Sequence, residues 1–138
     1  SSMQPAYDLK PTTSYKSEVA IINSNVQKQE VSGSERTVVT GSGEAEIVWP
    51  VSTGVADVYS ITVKYNNPLE QDMTGTIQLF DVSGVKMVEA PAVFKFTRPG
   101  KWNYITINTG SMINAGHYKV RLVTKGAKGL IVSNVDIQ

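Results

Sequence analysis

The chain has no cysteine, one histidine and no long apolar run. Without cysteine there is no disulfide, no thiol nucleophile and no thiolate metal site. A single histidine, His117, excludes zinc sites built on paired histidines. No stretch approaches the roughly 20 apolar residues that cross a bilayer, and none has a signal-peptide h-region, so no membrane partner is expected. An excess of one charge is also lacking: 13 Lys and Arg stand against 12 Asp and Glu, a formal net charge of +1. The basic residues are scattered, which argues against a nucleic-acid partner.

What is present is strand pattern. At 138 residues, with 41% hydrophobic and 18% charged residues, the chain suits one domain able to bury a core unaided. One pattern occurs twice. Tyr59, Ile61, Val63 and Tyr65 alternate with Ser60, Thr62 and Lys64; Tyr118, Val120 and Leu122 alternate with Lys119 and Arg121. Successive strand side chains point to opposite faces, so this spacing buries one face and wets the other. That is the mark of an antiparallel sheet with one solvated side.

Turn signals divide the rest of the chain into about ten extended segments. The segments expected are Glu18–Asn23, Val26–Val31, Arg36–Thr40, Glu46–Val51, Asp57–Tyr65, Gly75–Asp81, Val85–Val88, Val93–Thr97, Trp102–Ile107, Tyr118–Val123 and Leu130–Ile137. Ser32-Gly33-Ser34, Asn66-Asn67-Pro68, Asp81-Val82-Ser83-Gly84 and Arg98-Pro99-Gly100 separate them. Pro50 cannot donate to a ladder, so its strand should lie at an edge or break there. No amphipathic helix is evident, and the spacing indicates an all-β sandwich or barrel. Residues 1–14 read as an extended lead-in or linker, and 15–138 as a single β-sandwich module.

Catalytic chemistry has little to work with. His117 takes the solvent-facing parity beside Tyr118, and no Gly-x-Ser-x-Gly elbow presents a nucleophile. Most of the carboxylates flank turns, and no pair among them is singled out for glycosidase work. No enzyme activity is expected of this chain. The aromatics say more. Trp49, Tyr59, Tyr65 and Tyr118 share the apolar parity of their strands, whereas Trp102 and Tyr104 oppose the buried parity of Ile105 and Ile107. An indole at a loop–strand junction offers a flat apolar face and one N–H, suited to the C–H face of a sugar ring.

In order along the chain stand Tyr15 to Ala20, Glu46 to Val51, Val58 to Asn67, Gly100-Lys101-Trp102, Ile113 to Leu122 and Leu130 to Gln138. Together they resemble the carbohydrate-binding modules of families 6 and 35, in the galactose-binding-like superfamily. The resemblance implies a jelly-roll β-sandwich of two antiparallel sheets, carried as an accessory module by a secreted, polysaccharide-degrading glycoside hydrolase of a Bacteroidetes bacterium. It implies an extracellular, cell-surface or periplasmic location, with a glycan and the catalytic domain of the same parent chain as partners, and a monomer. The glycan would lie in a loop-end cleft, stacked on Trp102, with Lys101, Asn66, Asn67, Tyr104 and Asn134 as further ligand-binding candidates. The family's second cleft aromatic has no counterpart in Val38 to Glu44. Members often hold a structural calcium: Glu18 matches one ligand, but Lys16 stands where a Glu is expected and Ser133 where an Asp is expected. A lysine is electrostatically wrong in a shell of oxygen ligands, so no cofactor is expected. The alternative is a structural β-sandwich that packs against a catalytic domain and binds no sugar.

Overall fold

A computed structural model describes residues 11–31 and 35–138. It contains eleven strands and one 3-10 turn, Ser17–Val19. The strands are β1 (Thr13–Lys16), β2 (Ile21–Ile22), β3 (Val26–Val31), β4 (Glu35–Thr40), β5 (Glu44–Thr53), β6 (Ser60–Asn66), β7 (Met73–Asp81), β8 (Lys86–Phe94), β9 (Asn103–Asn108), β10 (Gly116–Lys125) and β11 (Ile131–Ile137). They form two sheets, β3-β4-β11-β6-β9, with β1 also on β11, and β2-β5-β10-β7-β8. Every pairing is antiparallel. No described helix is long and apolar enough to cross a membrane.

The alternation read from the sequence builds the core. Ile61, Val63 and Tyr65 of β6 and Val132 and Val135 of β11 face Ile47 and Trp49 of β5 and Val120 and Leu122 of β10, all buried. Tyr65 meets Phe94 edge-on, with ring centroids 4.9 Å apart and planes at 81°. Each large apolar side chain buried this way contributes about 1.5–3 kcal/mol. The repeated motif has a structural counterpart: the Tyr59 hydroxyl donates to the Val55 carbonyl at 2.6 Å, and the Tyr118 hydroxyl donates to the Asn114 carbonyl at 2.6 Å. The two loops before these tyrosines bridge each other, Asp57 N–H to Ile113 at 3.1 Å and Ile113 N–H to Asp57 at 2.9 Å.

Several segments differ from expectation. Glu18–Asn23 is not one strand. Ser17 is fully buried and its carbonyl accepts from Ala20 N–H at 3.1 Å, which closes a turn and leaves only β2 extended. Val85–Val88 and Val93–Thr97 merge into β8, which runs through Pro91 because β8 is the last strand of its sheet. The Asp57 segment enters β6 only at Ser60, its start being taken up by the bridge to Ile113. Pro50 lies mid-strand. Ser52 N–H, two residues on and therefore on the same side, points away from β10 to the Tyr15 hydroxyl at 3.1 Å. The missing donor of Pro50 thus lies along the stretch that β2, which stops at Val48, leaves uncovered. The Ser32-Gly33-Ser34 turn and residues 1–10 of the expected lead-in lie outside the described residues; Thr13 and Ser14 belong to β1, paired with Ile137 and Asp136.

Candidate ligand-binding site

With Val63 and Tyr65 inward, Thr62 and Lys64 of β6 face away from the core. The register extends this outer face sideways. Lys64 pairs with Tyr104 on β9 and with Asn134 on β11, and Asn134 pairs with Lys16 on β1. Tyr104, Lys64, Asn134 and Lys16 therefore form one row, and directly opposed side chains of such a row lie about 4.5–5.5 Å apart at Cβ. Trp102 enters at the head of β9, two residues before Tyr104, and the Lys64 ammonium sits 5.2 Å from its ring centroid. Trp102 is half-buried, whereas Tyr104 is 54% exposed.

The loop that delivers Trp102 is tightly made. Lys101 N–H donates to the Arg98 carbonyl at 3.2 Å. Arg98 and Gly100 have φ of 73° and 78°, and Arg98 is the one non-glycine with positive φ among the described residues. Such a backbone is strained and persists only where its surroundings hold it. Here the holder is Asn66. Its amide nitrogen lies 2.8 Å from Thr97 Oγ1, 2.7 Å from the Arg98 carbonyl and 2.6 Å from the Lys101 carbonyl. Asn67 braces the neighbouring turn, donating to the carbonyls of Gln71 at 2.7 Å and Phe94 at 2.8 Å. Beneath, burial pushes the Tyr65 phenol pKa up, against the opposing pull of the Lys95 backbone and the Asn103 side chain.

Trp102 and Tyr104 thus come together, whereas Asn66, Asn67 and Asn134, grouped with the ligand-binding residues on sequence grounds, are buried, at 2%, 0% and 9% exposed. Their amides are spent inside the protein, and Asn66 and Asn67 build the loop that a ligand would meet. The Asn134 amide donates to Asp136 Oδ1 at 2.8 Å and Ser14 Oγ at 3.2 Å. Lys101 is exposed, with its carbonyl held by Asn66. Lys64 was missing from the sequence-based set. Its wet parity was legible, but its place against Trp102 depends on β6 pairing with β9. The β4–β5 turn carries no aromatic wall: a Cβ on Gly41 would lie 2.5 Å from Asn25 Oδ1, so this turn is closed down on Asn25. A cavity of about 270 Å³ beside it is lined by Gln27, Val39, Thr40 and Lys128 among others, without aromatics.

Chemistry and metal sites fare differently. His117 is exposed. No described group of three or more His, Asp or Glu could hold a metal. Around Glu18 the donor set does not suit calcium: the Lys28 ammonium donates to the Glu18 carbonyl at 2.7 Å, and the Arg36 guanidinium lies 3.9 Å from its carboxylate. Two cations already face the one matching ligand, and Lys16 and Ser133 supply no carboxylate.

No protein-family model matches the chain, and no curated protein sequence matches it. Solved structures do. A family 35 carbohydrate-binding module from Clostridium thermocellum superposes with a TM-score of 0.77 at 20% identity, covering 93% of this chain and 98% of that one. The C-terminal family 6 module of a marine laminarinase from Zobellia galactanivorans gives 0.72 at 16% identity, covering 93% and 99%. A GH26-CBM35 β-(1,4)-mannanase from Podospora anserina gives 0.64 at 15% identity, this chain covering 27% of that larger one. The two structures covered nearly end to end are single carbohydrate-binding modules, whereas the mannanase chain is far longer than this one. The protein has the two-sheet β-sandwich fold of family 35 and family 6 carbohydrate-binding modules.

Proposed function

We propose that the chain is a non-catalytic carbohydrate-binding module that holds a glycan by stacking on Trp102 and directs an attached, secreted glycoside hydrolase to its substrate. The observation that carries this reading is the presentation of Trp102: a half-buried indole on a strained loop, locked by the buried Asn66 amide and continued by the exposed ring of Tyr104. Strain held at an aromatic platform is the pattern expected where a side chain must be kept in one pose for a ligand. The fold's recurrence within a mannanase chain supports the attachment. With one wall of stacking, affinity should fall in the micromolar to millimolar range.

Tryptophan fluorescence titrated with a glycan panel tests it, alongside Trp102→Ala. Trp49 is buried and provides an internal reference. A saturable change lost in the variant is expected. No response to any glycan, with Trp102 shielded from iodide, would leave the structural β-sandwich module as the reading.

A further inference from the structure

The outer face of the β3-β4-β11-β6-β9 sheet carries a second aromatic in line with Trp102. Ile105 and Ile107 of β9 turn toward the core, so Tyr104 and Thr106 stand on the solvent face, and Trp102, two residues before Tyr104, shares their parity. Lys64 ties the two rings to one neighbourhood: it pairs directly with Tyr104, and its ammonium lies 5.2 Å from the Trp102 ring centroid. At a rise of about 3.3 Å per residue the two aromatic positions are about 7 Å apart along the strand, on the scale of one sugar unit in an extended chain. The join between them is held, since the Tyr104 N–H donates to Asn103 Oδ1 at 2.9 Å. Next on this face comes Thr106, whose hydroxyl lies 2.9 Å from that of Thr62 across the pairing. β9 is the last strand of its sheet, so no further strand covers the far side of this track. Its charges balance: Lys64 flanks Tyr104, and Asp136, paired with Thr62, flanks the two threonines.

Resting on the reading of Trp102 as a glycan platform, we propose that Tyr104 is a second stacking subsite, and that the ligand is a neutral glycan chain bound along its length, running from Trp102 down β9 across the outer face of the sheet. A chain end held at the loop alone would meet only Trp102. An extended chain meets in turn the indole, the phenol and the Thr106–Thr62 hydroxyl pair, which offers donors and acceptors to sugar hydroxyls beyond the flat rings. Tyr104 is exposed and has only two side-chain torsions, so stacking a sugar on it orders little of the protein. With one cation and one carboxylate beside the track, charge on the chain would be attracted at one end and repelled at the other. A neutral chain is the match.

The test measures affinity by tryptophan fluorescence for xylo-, cello- and manno-oligosaccharides from one sugar to six. In at least one series, wild-type affinity should rise roughly fivefold between the single sugar and the trisaccharide, as the chain reaches Tyr104. Tyr104→Ala should abolish that rise while keeping the single-sugar affinity and the melting temperature, and Tyr104→Phe should retain it. Borohydride reduction of the hexasaccharide, which opens its terminal ring, should cost nothing, and an oligogalacturonate of equal length should bind no more tightly than the neutral chain. A rise that survives in Tyr104→Ala overturns the inference, as does a reduced hexasaccharide that no longer binds or a tighter oligogalacturonate. Single-sugar binding that depends on Trp102, with no gain in longer chains, overturns it while leaving the platform standing; no binding by any chain overturns both.

Discussion

Asn66→Ala removes the piece that fixes the Trp102 loop, and its consequence can be worked out. The Asn66 amide has two hydrogens and three acceptors within 2.6–2.8 Å, so about two hydrogen bonds' worth of interaction, one N–H being shared between acceptors, is lost. Asn66 is buried, whereas Arg98 and Lys101 are exposed, so water can reach part of what is freed. At about 1 kcal/mol for each bond, plus a small cavity, the expected loss is roughly 2–3 kcal/mol. For a domain of this size that lowers the melting temperature by roughly 6–12 °C. The strained Arg98 turn should relax as well, so iodide should quench Trp102 more strongly and glycan affinity should fall. Asn66→Asp should do worse than alanine, because a carboxylate would face two carbonyls. Calorimetric melting and iodide quenching of the same samples check both effects. An Asn66→Ala protein that melts within 2 °C of wild type, with unchanged Trp102 quenching, would show that the loop holds itself and refute the clamp.

Two further outcomes follow from charge. Because Lys28 and Arg36 already face Glu18, the melting temperature should be the same in a chelator and in excess calcium; a saturable rise with calcium would show a binding site after all. Asp81 has its carboxyl held below the usual carboxylate value by the Ser83 hydroxyl and then by the Val85 backbone. Its folded pKa is the lower one, so its stabilisation of the β7–β8 turn is present above the ordinary value and lost as pH falls through the folded one. Carboxyl NMR titration should place the Asp81 midpoint below 3.8, and a midpoint at or above that value contradicts the turn's hydrogen bonds.

Local rules made much of this fold legible. Alternation alone assigned Ile61, Val63, Tyr65, Val120 and Leu122 to the core and Tyr104 to solvent, because side-chain direction in a strand is set by backbone geometry. The errors arose where tertiary contacts outweighed pattern. Ser17 is buried against β4 and β11 and bends the chain into a turn that its neighbours' β-propensity would not suggest. Pro91 sits within β8, because an edge position tolerates a missing donor. For the site, the parity of Trp102 could be read but not its neighbours, since strand order is not local information. Asn66 and Asn67 looked like ligand donors for a good reason: polar residues at a strand end are usually exposed. The loop folded over them instead, and buried amides in such a place must find partners.

This reversal bears on how a one-walled site could hold a sugar. A cleft with two aromatic walls gains stacking on both ring faces; here the β4–β5 turn is occupied by Asn25 and offers no second wall. The remaining route to useful affinity is to lower the cost of binding. A loop already ordered by Asn66 spares the ligand the backbone ordering that a mobile loop would charge at about 1–2 kcal/mol per residue. The buried amide therefore acts on the disorder left for the ligand to remove. A residue 2% exposed, which no sugar can touch, can then matter to affinity as much as the ring itself.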